Sequence, residues 1–241
     1  MPAHSRQVSS NQHHLHPRLA ELVRKHLRTR YRRPVAPHNE QAFEQLRQAL
    51  EQRPRPLVLD SFCGTGHSTA LLARRHPGHL VVGIDKSAQR LARHPGQPDD
   101  DYLLLRADCE DIWQLLAQAQ VAVAYHYILY PNPWPKSGQV QRRVHAHPAF
   151  PLLPRLAGQA GGHIELRSNW QLYVEEFGVA MHLAGCPGNV SRCNGQPAMT
   201  LFEQKYQDSG HQLWAFTAKV PSRSRRDDNP VIGYSAGRLT R

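Results

Sequence analysis

The 241-residue sequence lacks several features that would point to other classes of protein. It has only four cysteines and no Cys-x-x-Cys pair, which excludes the usual disulfide and zinc frameworks and favours a reducing compartment. Sixteen histidines are present, but no His-Glu-x-x-His motif accompanies them. The longest apolar run, Val121 to Tyr130, is too short to cross a bilayer, and the N-terminus has no apolar signal segment. We therefore expect a cytoplasmic protein with no membrane partner and no metal.

Acidic residues are scarce at both ends of the chain. Residues 1–38 hold eight Lys or Arg and one acid, net +7, and residues 221–241 hold five Arg and two Asp, net +3, which leaves +1 for residues 39–220. This predicts a basic N-terminal arm over 1–38, partly disordered with a helix near 17–33, a folded domain over 39–220, and a basic tail over 221–241. Basic arms on a nearly neutral core predict a polyanionic partner such as a nucleic acid.

The most informative stretch is Val58-Leu-Asp-Ser-Phe-Cys-Gly-Thr-Gly66, followed by an Ala- and Leu-rich run. An apolar segment ends in an acid, turns through Gly64 and Gly66 and restarts with helical periodicity, which predicts strand, tight loop and helix. Glycines allow the backbone to lie close to a ligand, and the helix N-terminus offers unpaired N–H groups. A lone Gly-x-Gly is a weak signal, but a second apolar run ends in Asp85 about 20 residues later, where a carboxylate can accept from a ribose diol.

A third predicted strand, Tyr102 to Leu105, is followed by Asp108. Ligands of open parallel sheets sit outside the carboxyl ends of the strands, so Asp60, Asp85 and Asp108 are expected along one edge. We assign Asp85 to a ribose and Asp108 to the region of a base ring, with helix capping as an alternative or additional role for Asp108. Asp60 is expected to act through the glycine-loop backbone or a cofactor amino group. The alternating strands and helices predict an α/β fold, a Rossmann-like doubly wound sheet, mostly parallel with an antiparallel closing strand.

The strand Val121 to Tyr130 leads into Pro131-Asn-Pro-Trp-Pro-Lys136. Three prolines cannot continue a sheet, so they predict a stiff loop that presents Asn132 and Trp134 at the strand end. An amide, an aromatic ring and nearby cations are the groups that a nucleobase pocket needs.

The remaining elements follow from periodicity and breakers. Asn39 is predicted to cap a helix that runs to Leu50, and a helix is expected over Gln171 to Ala184. Residues 185–198 are expected to form a loop. The closing pair of strands is predicted over Met199–Phe202 and Gln212–Val220.

Three motifs follow one another along the chain: Pro131-Asn-Pro-Trp-Pro-Lys136 with Arg142-Arg143, then Ser168-Asn-Trp170…Tyr173, then Thr200-Leu-Phe-Glu203…Gly210…Trp214. In this order they resemble the bacterial tRNA (guanine-N7-)-methyltransferases, which use S-adenosylmethionine on a Rossmann-like sheet. The family's corresponding motifs are P-D-P-W-x-K…K-R-R, T-D-W…Y and T-x-F-E…G…W. The likeness spans about residues 30–220 and is far more specific than the glycine loop.

The resemblance implies methyl transfer from S-adenosylmethionine to N7 of a guanosine in the variable loop of tRNA, by a monomer or homodimer. With the interpretation above, the expected cofactor residues are Asp60, Phe62, Gly64, Gly66, Asp85, Lys86, Asp108, Cys109 and Asn132. Asn132 falls at the family's proposed catalytic aspartate. The expected substrate residues are Trp134, Lys136, Arg142, Arg143, Asn169, Tyr173, Thr200, Phe202 and Glu203.

The chain departs from the family pattern at two pocket positions, because Asn132 and Asn169 stand where the family has aspartate, and Gln141 begins the basic cluster. Guanine N7 carries a free lone pair, so the enzyme chiefly positions the base and excludes water. Loss of one charge-assisted bond costs about 1–3 kcal/mol, a slower enzyme rather than a dead one. Two such losses in one pocket leave an altered substrate open.

Two alternatives remain open. Asn132-Pro-Trp134 is also similar to the N-P-P-[YFW] signature of amino methyltransferases, which would direct methylation to an exocyclic nitrogen of an RNA or DNA base. The second alternative is a catalytically weakened protein that binds S-adenosylmethionine and RNA. The glycine loop, Asp85, Lys136 and Glu203 argue for retained catalysis.

Overall fold

The computed structural model describes residues 5–96, 101–193 and 195–222. Residues 1–4 of the predicted arm and residues 223–241 of the predicted tail lie outside this part. The helices are α1 Leu19–Arg28, α2 Pro37–Gln52, α3 His67–Arg75, α4 Ala88–Leu91, α5 Cys109–Gln118, α6 Leu152–Gly158, α7 Gln171–Leu183 and α8 Leu201–Asp208. The strands are β1 Leu57–Ser61, β2 Leu80–Asp85, β3 Tyr102–Arg106, β4 Val123–Leu129, β5 His163–Ser168, β6 Asn189–Arg192 and β7 Trp214–Lys219. Two short 3-10 helices, Ser137–Arg142 and Val144–Ala146, follow β4.

The seven strands form one sheet in the order β3-β2-β1-β4-β5-β7-β6. Strands β1 to β5 are mutually parallel, and β7 runs antiparallel to both of its neighbours, β5 and β6. The predicted doubly wound, mostly parallel sheet is therefore confirmed. The strand order reverses between β1 and β4, and a crevice opens at the carboxyl ends of strands at such a switch point.

Both faces of β1 are buried, which explains its apolar sequence. Leu57 and Leu59 join the main core under α1, α2, α5, α6 and α7, whereas Val58 packs in a second cluster with Leu72 of α3. A parallel strand that is covered on both sides reads as a continuous apolar run, because alternate residues enter different cores.

Helix α1 belongs to the main core rather than to a separate arm. Leu19, Leu22 and Val23 are buried in that core. Arg24 and Lys25 lie on the exposed side of the same helix. The helix is shorter than the predicted 17–33, because residue 29 has extended backbone and the chain then passes to α2.

Residues 5–16, which we call the N-terminal segment, lie against the domain, although the sequence predicts disorder in this arm. Ser5 N–H donates to Ser209 Oγ at 3.0 Å, and Ser10 Oγ donates to the carbonyl of Pro135 at 2.6 Å. Low hydrophobicity predicts disorder because such a segment can bury little apolar surface. Here the hydrogen-bond partners come from distant parts of the chain.

The prediction for residues 185–202 is wrong in two ways. The expected loop contains β6, which is the strand that pairs with β7, and the expected strand over 199–202 is absent, because these residues lead into α8, which begins at Leu201. Thr200 caps this helix, since its Oγ1 accepts from Glu203 N–H at 2.9 Å. Thr-x-x-Glu is a capping-box pattern, so the helix had a signal in the sequence.

Asn39 does not cap α2. Ala36 occupies the N-cap position with Pro37 as the first helical residue, where a missing N–H costs nothing. Asn39 is fully buried in the first turn and points across to α5, where it supports the site described below.

Candidate functional site

A cleft of about 640 Å³ opens at the carboxyl edge of the sheet, at the switch point between β1 and β4. We call one side the glycine-loop wall (residues 62–68, 85–93 and 107–113) and the other the proline-loop wall (residues 129–134, 142–147 and 200–205). Eleven of the predicted site residues line it: Phe62, Gly64, Asp85, Lys86, Asp108, Cys109, Asn132, Trp134, Arg142, Thr200 and Phe202. Lining residues that the sequence analysis missed include Arg90, Arg93, Glu110, Trp113 and Lys205.

The glycine loop turns through three residues of positive φ. Phe62, Gly64 and Gly66 have φ of 64°, 63° and 77°. A Cβ on Gly66 would lie 2.7 Å from the side chain of Leu104 and 2.9 Å from that of His94, whereas Gly64 faces open space. Gly66 therefore serves close packing and Gly64 leaves room in the cleft, although Gly66 itself does not line it.

Asp85 is held by the glycine loop and by its own strand end. Its Oδ2 accepts from Gly64 N–H at 3.0 Å, its Oδ1 accepts from Ser87 N–H at 2.8 Å, and Arg90 Nη2 lies 3.0 Å from Oδ1. Only 2% of the residue is exposed. A carboxylate has about four acceptor positions and three donors are present here, so one position on Oδ2 stays open to accept from a ribose hydroxyl.

Asp108 is positioned by Asn39. The Asn39 Oδ1 accepts from Asp108 N–H at 3.1 Å, and its Nδ2 donates to Asp111 Oδ2 at 2.6 Å and lies 3.5 Å from Asp108 Oδ2. Asp108 occupies the N-cap position of α5 but its side chain makes no capping bond, so its carboxylate is directed to other partners. The alternative role predicted for Asp108, helix capping, therefore holds for its position in the chain but not for its side chain.

Two acidic groups of this region have raised pKa values. Burial raises the pKa of Glu110, which lines the cleft beside Asp108. Burial also raises the pKa of Asp60 to about 6. Asp60 does not reach the cleft, because it is fully buried and its Oδ2 accepts from the hydroxyls of Ser68 and Thr69 at 2.6 and 2.7 Å. Its visible role is to tie β1 to the first turn of α3.

The floor of the cleft is an aromatic and polar stack. Phe62 meets Trp113 edge-on with 5.8 Å between ring centroids, and Trp113 Nε1 donates to Ser61 Oγ at 3.0 Å. Ser61 in turn lies 2.8 Å from His126 Nε2, and burial lowers the pKa of that histidine to about 3. His126 is therefore a neutral imidazole that satisfies Ser61 below the floor.

The two cysteines at the cleft are neutral thiols. Burial raises the pKa of both Cys63 and Cys109 well above the ordinary value. Cys109 Sγ accepts from Phe62 N–H at 3.3 Å. A neutral, buried thiol is a poor nucleophile, so these residues shape the site rather than form a covalent bond to a substrate.

The proline loop is bent at two residues with positive φ, Tyr130 at 53° and Trp134 at 46°. Asn132 Oδ1 accepts from Trp134 N–H at 3.3 Å, and the Arg142 guanidinium lies 4.8 Å from the centre of the Trp134 ring. Such backbone costs about 1–3 kcal/mol at each non-glycine residue and persists only where surrounding contacts fix it. The loop therefore presents an exposed amide and an indole in a set orientation.

Seven predicted site residues do not line the cleft: Asp60, Gly66, Lys136, Arg143, Asn169, Tyr173 and Glu203. Arg143, Tyr173 and Glu203 are fully buried, so direct contact with a substrate is excluded in this conformation. Glu203 accepts from Arg167 Nη1 at 2.7 Å and Met199 N–H at 2.9 Å, and the Tyr173 hydroxyl accepts from Val144 N–H. These three residues hold the proline-loop wall together.

Asn169 and Lys136 lie beside the cleft. Asn169 Nδ2 is 3.1 Å from His211 Nδ1, and Lys136 is exposed on the outer side of the proline loop. Phe202 differs from them, because it lines the cleft and is 53% exposed at the first turn of α8. Its exposed ring stacks on Tyr206 with 6.3 Å between ring centroids.

The geometry suits transfer between two bound molecules. The glycine-loop wall offers carboxylates and backbone N–H groups for a nucleoside, and the proline-loop wall offers an amide, an indole and cations for a base with its phosphates. Within the described residues there is no group of three or more His, Cys, Asp or Glu that could hold a metal ion. None of the described helices is long and apolar enough to cross a membrane.

Comparisons with known proteins agree with this arrangement. A family model described as "Putative methyltransferase" matches residues 54–216, more than half of the chain. A tRNA (guanine-N(7)-)-methyltransferase of Sodalis glossinidius (strain morsitans) is 28% identical over 176 residues, which cover 69% of this chain and 73% of that protein. A protein of the same name from Treponema pallidum (strain Nichols) is 29% identical and covers 68% of each chain.

Solved structures share the fold. The crystal structure of a 16S rRNA methyltransferase, KamB, superposes with a TM-score of 0.54 at 18% identity and covers 74% of this chain and 93% of that one. An antibiotic-related methyltransferase superposes with a TM-score of 0.51 at 13% identity, over 80% of this chain and 96% of that one.

Proposed function

The chain belongs to the methyltransferase family whose model spans residues 54–216, and from this premise we propose that it methylates N7 of a guanosine in tRNA. S-adenosylmethionine is the methyl donor. The relatives that bear this activity in their names are 26–29% identical to the chain. The resemblance of the three motifs points to a guanosine of the variable loop.

The observation that carries the proposal is the meeting of two different walls in one cleft. Asp85, fixed by Gly64 N–H, faces the same space as Asn132 and Trp134. A nucleoside donor on the first wall and a base on the second would bring a methyl sulfonium and a ring nitrogen together. Because guanine N7 has a free lone pair, alignment and exclusion of water supply the main rate enhancement.

The chain's residues have distinct proposed roles. Asp85 accepts from the ribose hydroxyls, Asp108 and Glu110 lie near the adenine, and Trp134 stacks on the target base. Lys86, Asn132 and Cys109 complete the cofactor site, and Thr200, Phe202, Arg142 and Lys136 contact the RNA. Arg143, Asn169, Tyr173 and Glu203 support the substrate side from behind, and Asp60 and Gly66 support the glycine loop.

A second candidate is a methyltransferase that acts on an exocyclic base nitrogen. It is favoured by Asn132, whose exposed amide lines the cleft next to Pro133 and Trp134. An amide can accept from a target amine, whereas the developing positive charge on N7-methylguanine is better met by a carboxylate. The motifs around Trp170, Thr200 and Trp214 favour the N7 activity over this one.

One experiment separates the candidates. The protein is incubated with bulk tRNA and S-adenosylmethionine that carries a labelled methyl group, and the tRNA is then treated with borohydride and aniline, which cleave at N7-methylguanosine. Label with cleavage is expected. Label without cleavage would exclude N7 and favour the exocyclic reaction, and bound tRNA with no label would indicate a binding protein without catalysis.

A pair of variants tests whether methyl incorporation depends on the cleft. Asp85→Ala is expected to abolish incorporation, because it removes the acceptor that Gly64 N–H and Ser87 N–H hold in place. Asp101→Ala is the matched control, since that aspartate is exposed and pairs with Arg55 away from the cleft. Equal loss in both variants would contradict the assignment of Asp85.

A further inference from the structure

One buried carboxylate connects the N-terminal segment with the proline loop. Glu176 of α7 is fully buried, and its two oxygens accept from four donors. Oε1 accepts from Gln12 Nε2 at 2.6 Å and from His16 N–H at 2.8 Å. Oε2 accepts from Arg143 Nη1 at 2.6 Å and lies 3.0 Å from His145 Nε2.

The arginine of this cluster reaches the proline loop directly. Arg143 is fully buried, its Nε donates to the carbonyl of Trp134 at 3.2 Å, and its guanidinium lies 4.9 Å from the centre of the Trp170 ring. Trp134 has a positive φ, which is strained for a non-glycine residue and persists only where neighbouring groups hold it. The orientation of Arg143 therefore bears on the position of the Trp134 backbone, and Glu176 sets that orientation.

The N-terminal segment makes two further contacts, with residues outside the proline-loop wall. Ser10 Oγ donates to the carbonyl of Pro135, directly after Trp134. At the other end, the carbonyl of Ser5 lies 3.0 Å from His211 Nε2, and the opposite ring nitrogen of His211 contacts Asn169. The segment thus contacts the chain directly after Trp134 and, through Glu176, the arginine that holds the Trp134 carbonyl.

The charges in the cluster are balanced. Burial opposes ionisation of Glu176, but the hydrogen bonds from His145 and His16 N–H and the charge of Arg143 outweigh it and lower the carboxyl pKa. Burial lowers the pKa of His145, so the imidazole is neutral near pH 7. The charged pair is Glu176 with Arg143, and such a pair inside a protein is sensitive to the loss of either partner.

We propose that Glu176 is a positioning residue for the target base: it orients Arg143, and with the N-terminal segment it fixes Trp134 at the cleft. The proposal rests on the proposed methyl transfer. In this proposal residues 5–16 support the proline-loop wall, in addition to any contacts that basic residues make with RNA phosphates.

Steady-state kinetics with unmodified tRNA test it. Glu176→Gln keeps the shape of the side chain but removes its charge, and kcat is expected to fall 10- to 100-fold, since misplacement of about 1 Å can cost 100-fold. The KM for tRNA and the dissociation constant for S-adenosylmethionine are expected to change less than threefold. A fall in affinity with an unchanged kcat would overturn the proposal.

The chain offers a matched control one residue away. Glu175 lies on the outer side of α7, where its Oε1 accepts from Gln171 Nε2 at 2.7 Å. Glu175→Gln removes the same charge from the same helix, and kcat is expected to stay within twofold of the parent. An equal fall in the two variants would assign the effect to the net charge of α7 and overturn the role of Glu176.

A measurement without turnover separates this proposal from the proposed activity. In protein labelled with 5-fluorotryptophan, the four tryptophans give 19F signals that Trp→Phe variants assign. Glu176→Gln should shift or broaden the Trp134 and Trp170 signals and leave Trp214 unchanged. If methyl transfer is absent but these signals respond, the proposed function fails and the structural coupling stands; if they do not respond, the coupling fails whatever the activity.

A milder variant covers the case in which Glu176→Gln does not fold. Gln12→Ala removes one donor from a part-buried site, and Ser10→Ala removes the bond to Pro135. The double variant is expected to lower kcat three- to tenfold and to shift only the Trp134 signal. An unchanged Trp134 signal together with an unchanged kcat would overturn the contribution of the N-terminal segment.

Discussion

The two walls of the cleft are built in different ways. The glycine-loop wall is held by contacts between neighbouring strand and helix units, such as Gly64 N–H with Asp85 and Phe62 N–H with Cys109. The proline-loop wall is held by side chains from distant parts of the chain, including Arg143 with Glu176 and the N-terminal segment. One wall depends on backbone geometry and the other on buried polar pairs.

This difference separates what the fold requires from what one reaction requires. Backbone N–H groups and glycine turns bind any donor that carries a nucleoside, so such a wall can serve many methyltransferases. Side chains that hold two residues at positive φ make a pocket of one shape. We therefore expect variants of the first wall to affect donor binding and stability, and variants of the second wall to affect turnover.

The largest expected effect comes from glycine substitutions that break the first wall. Gly66→Ala adds the strain of a left-handed residue, about 1–2 kcal/mol, and overpacks Leu104 and His94, for a total near 3 kcal/mol. Urea unfolding should show this loss, and calorimetry should show at least tenfold weaker binding of S-adenosylmethionine.

Gly78→Ala is the matched control for that loss. Gly78 has φ of 80°, but a Cβ there would meet no atom within 4 Å. It should cost only the backbone strain and leave donor binding intact. Equal losses in the two variants would show that packing behind the glycine loop does not matter.

The first wall could be predicted from the sequence because its information is local. Apolar runs that end in acids predicted Asp60, Asp85 and Asp108 along one edge, and Asp85 and Asp108 line the cleft there, whereas Asp60 is buried away from it. The doubly wound, mostly parallel sheet followed from the alternation of strands and helices. The role of Asn39 was not predicted. Its partners on α5 are some 70 residues away in the sequence, and a polar residue near Pro37 is more simply interpreted as a helix cap.

The second wall could be predicted only in part. The prolines and the motif resemblance located Asn132 and Trp134, but exposure was misjudged for Arg143, Tyr173 and Glu203, which are buried behind the wall. Glu176 had a signal that was missed. It lies on the same helix face as Tyr173, Phe177 and Ala180, and a carboxylate on a buried helix face needs partners.

Acid should weaken the floor below the first wall. Burial holds the folded-state pKa of His126 at about 3, below the ordinary 6.5, so the stability that its neutral form contributes is complete above pH 6.5. That stability is lost as the pH falls from 6.5 towards 3, because only the unfolded state then takes up the proton. At pH 5 the loss is about 2 kcal/mol at roughly 1.4 kcal/mol per pH unit.

Urea unfolding at pH 7 and pH 5 measures this loss. His126→Gln should reduce the difference between the two pH values by about 2 kcal/mol, whereas His13→Gln, at an exposed position, should leave it unchanged. The same pH dependence in the parent and in His126→Gln would place the acid-sensitive groups elsewhere.

A variant of the proline-loop wall is expected to gain activity, which would show how Asn132 contributes to N7 methylation. Asn132→Asp restores a carboxylate where the positive charge develops on the guanine, and its oxygen can still accept from Trp134 N–H. We expect about a tenfold rise in kcat for N7 methylation, measured by label and aniline cleavage. Asn169→Asp is the control and should give no gain, because that side chain contacts His211 outside the cleft. A lower rate for Asn132→Asp would mean that the pocket is adapted to the amide.

The smallest effect per residue is expected on the affinity for tRNA, from replacing exposed cations of α1 that line neither wall of the cleft. Deletion of the whole arm would not isolate them, because Leu19, Leu22 and Val23 of α1 are in the core. Replacement of the exposed Arg24, Lys25 and Arg28 by Gln leaves that core intact.

If these three cations contact phosphates, the slope of log affinity for tRNA against log salt should fall by about 2, at roughly 0.7–0.9 per phosphate contact. The kcat should be unchanged, in contrast to the expected behaviour of Glu176→Gln. Arg47→Gln is the control, because Arg47 already pairs with Glu44 on α2 and should leave the salt slope unaltered. An unchanged slope in the triple variant would show that Arg24, Lys25 and Arg28 do not contact phosphates and that this part of α1 contributes to the core alone.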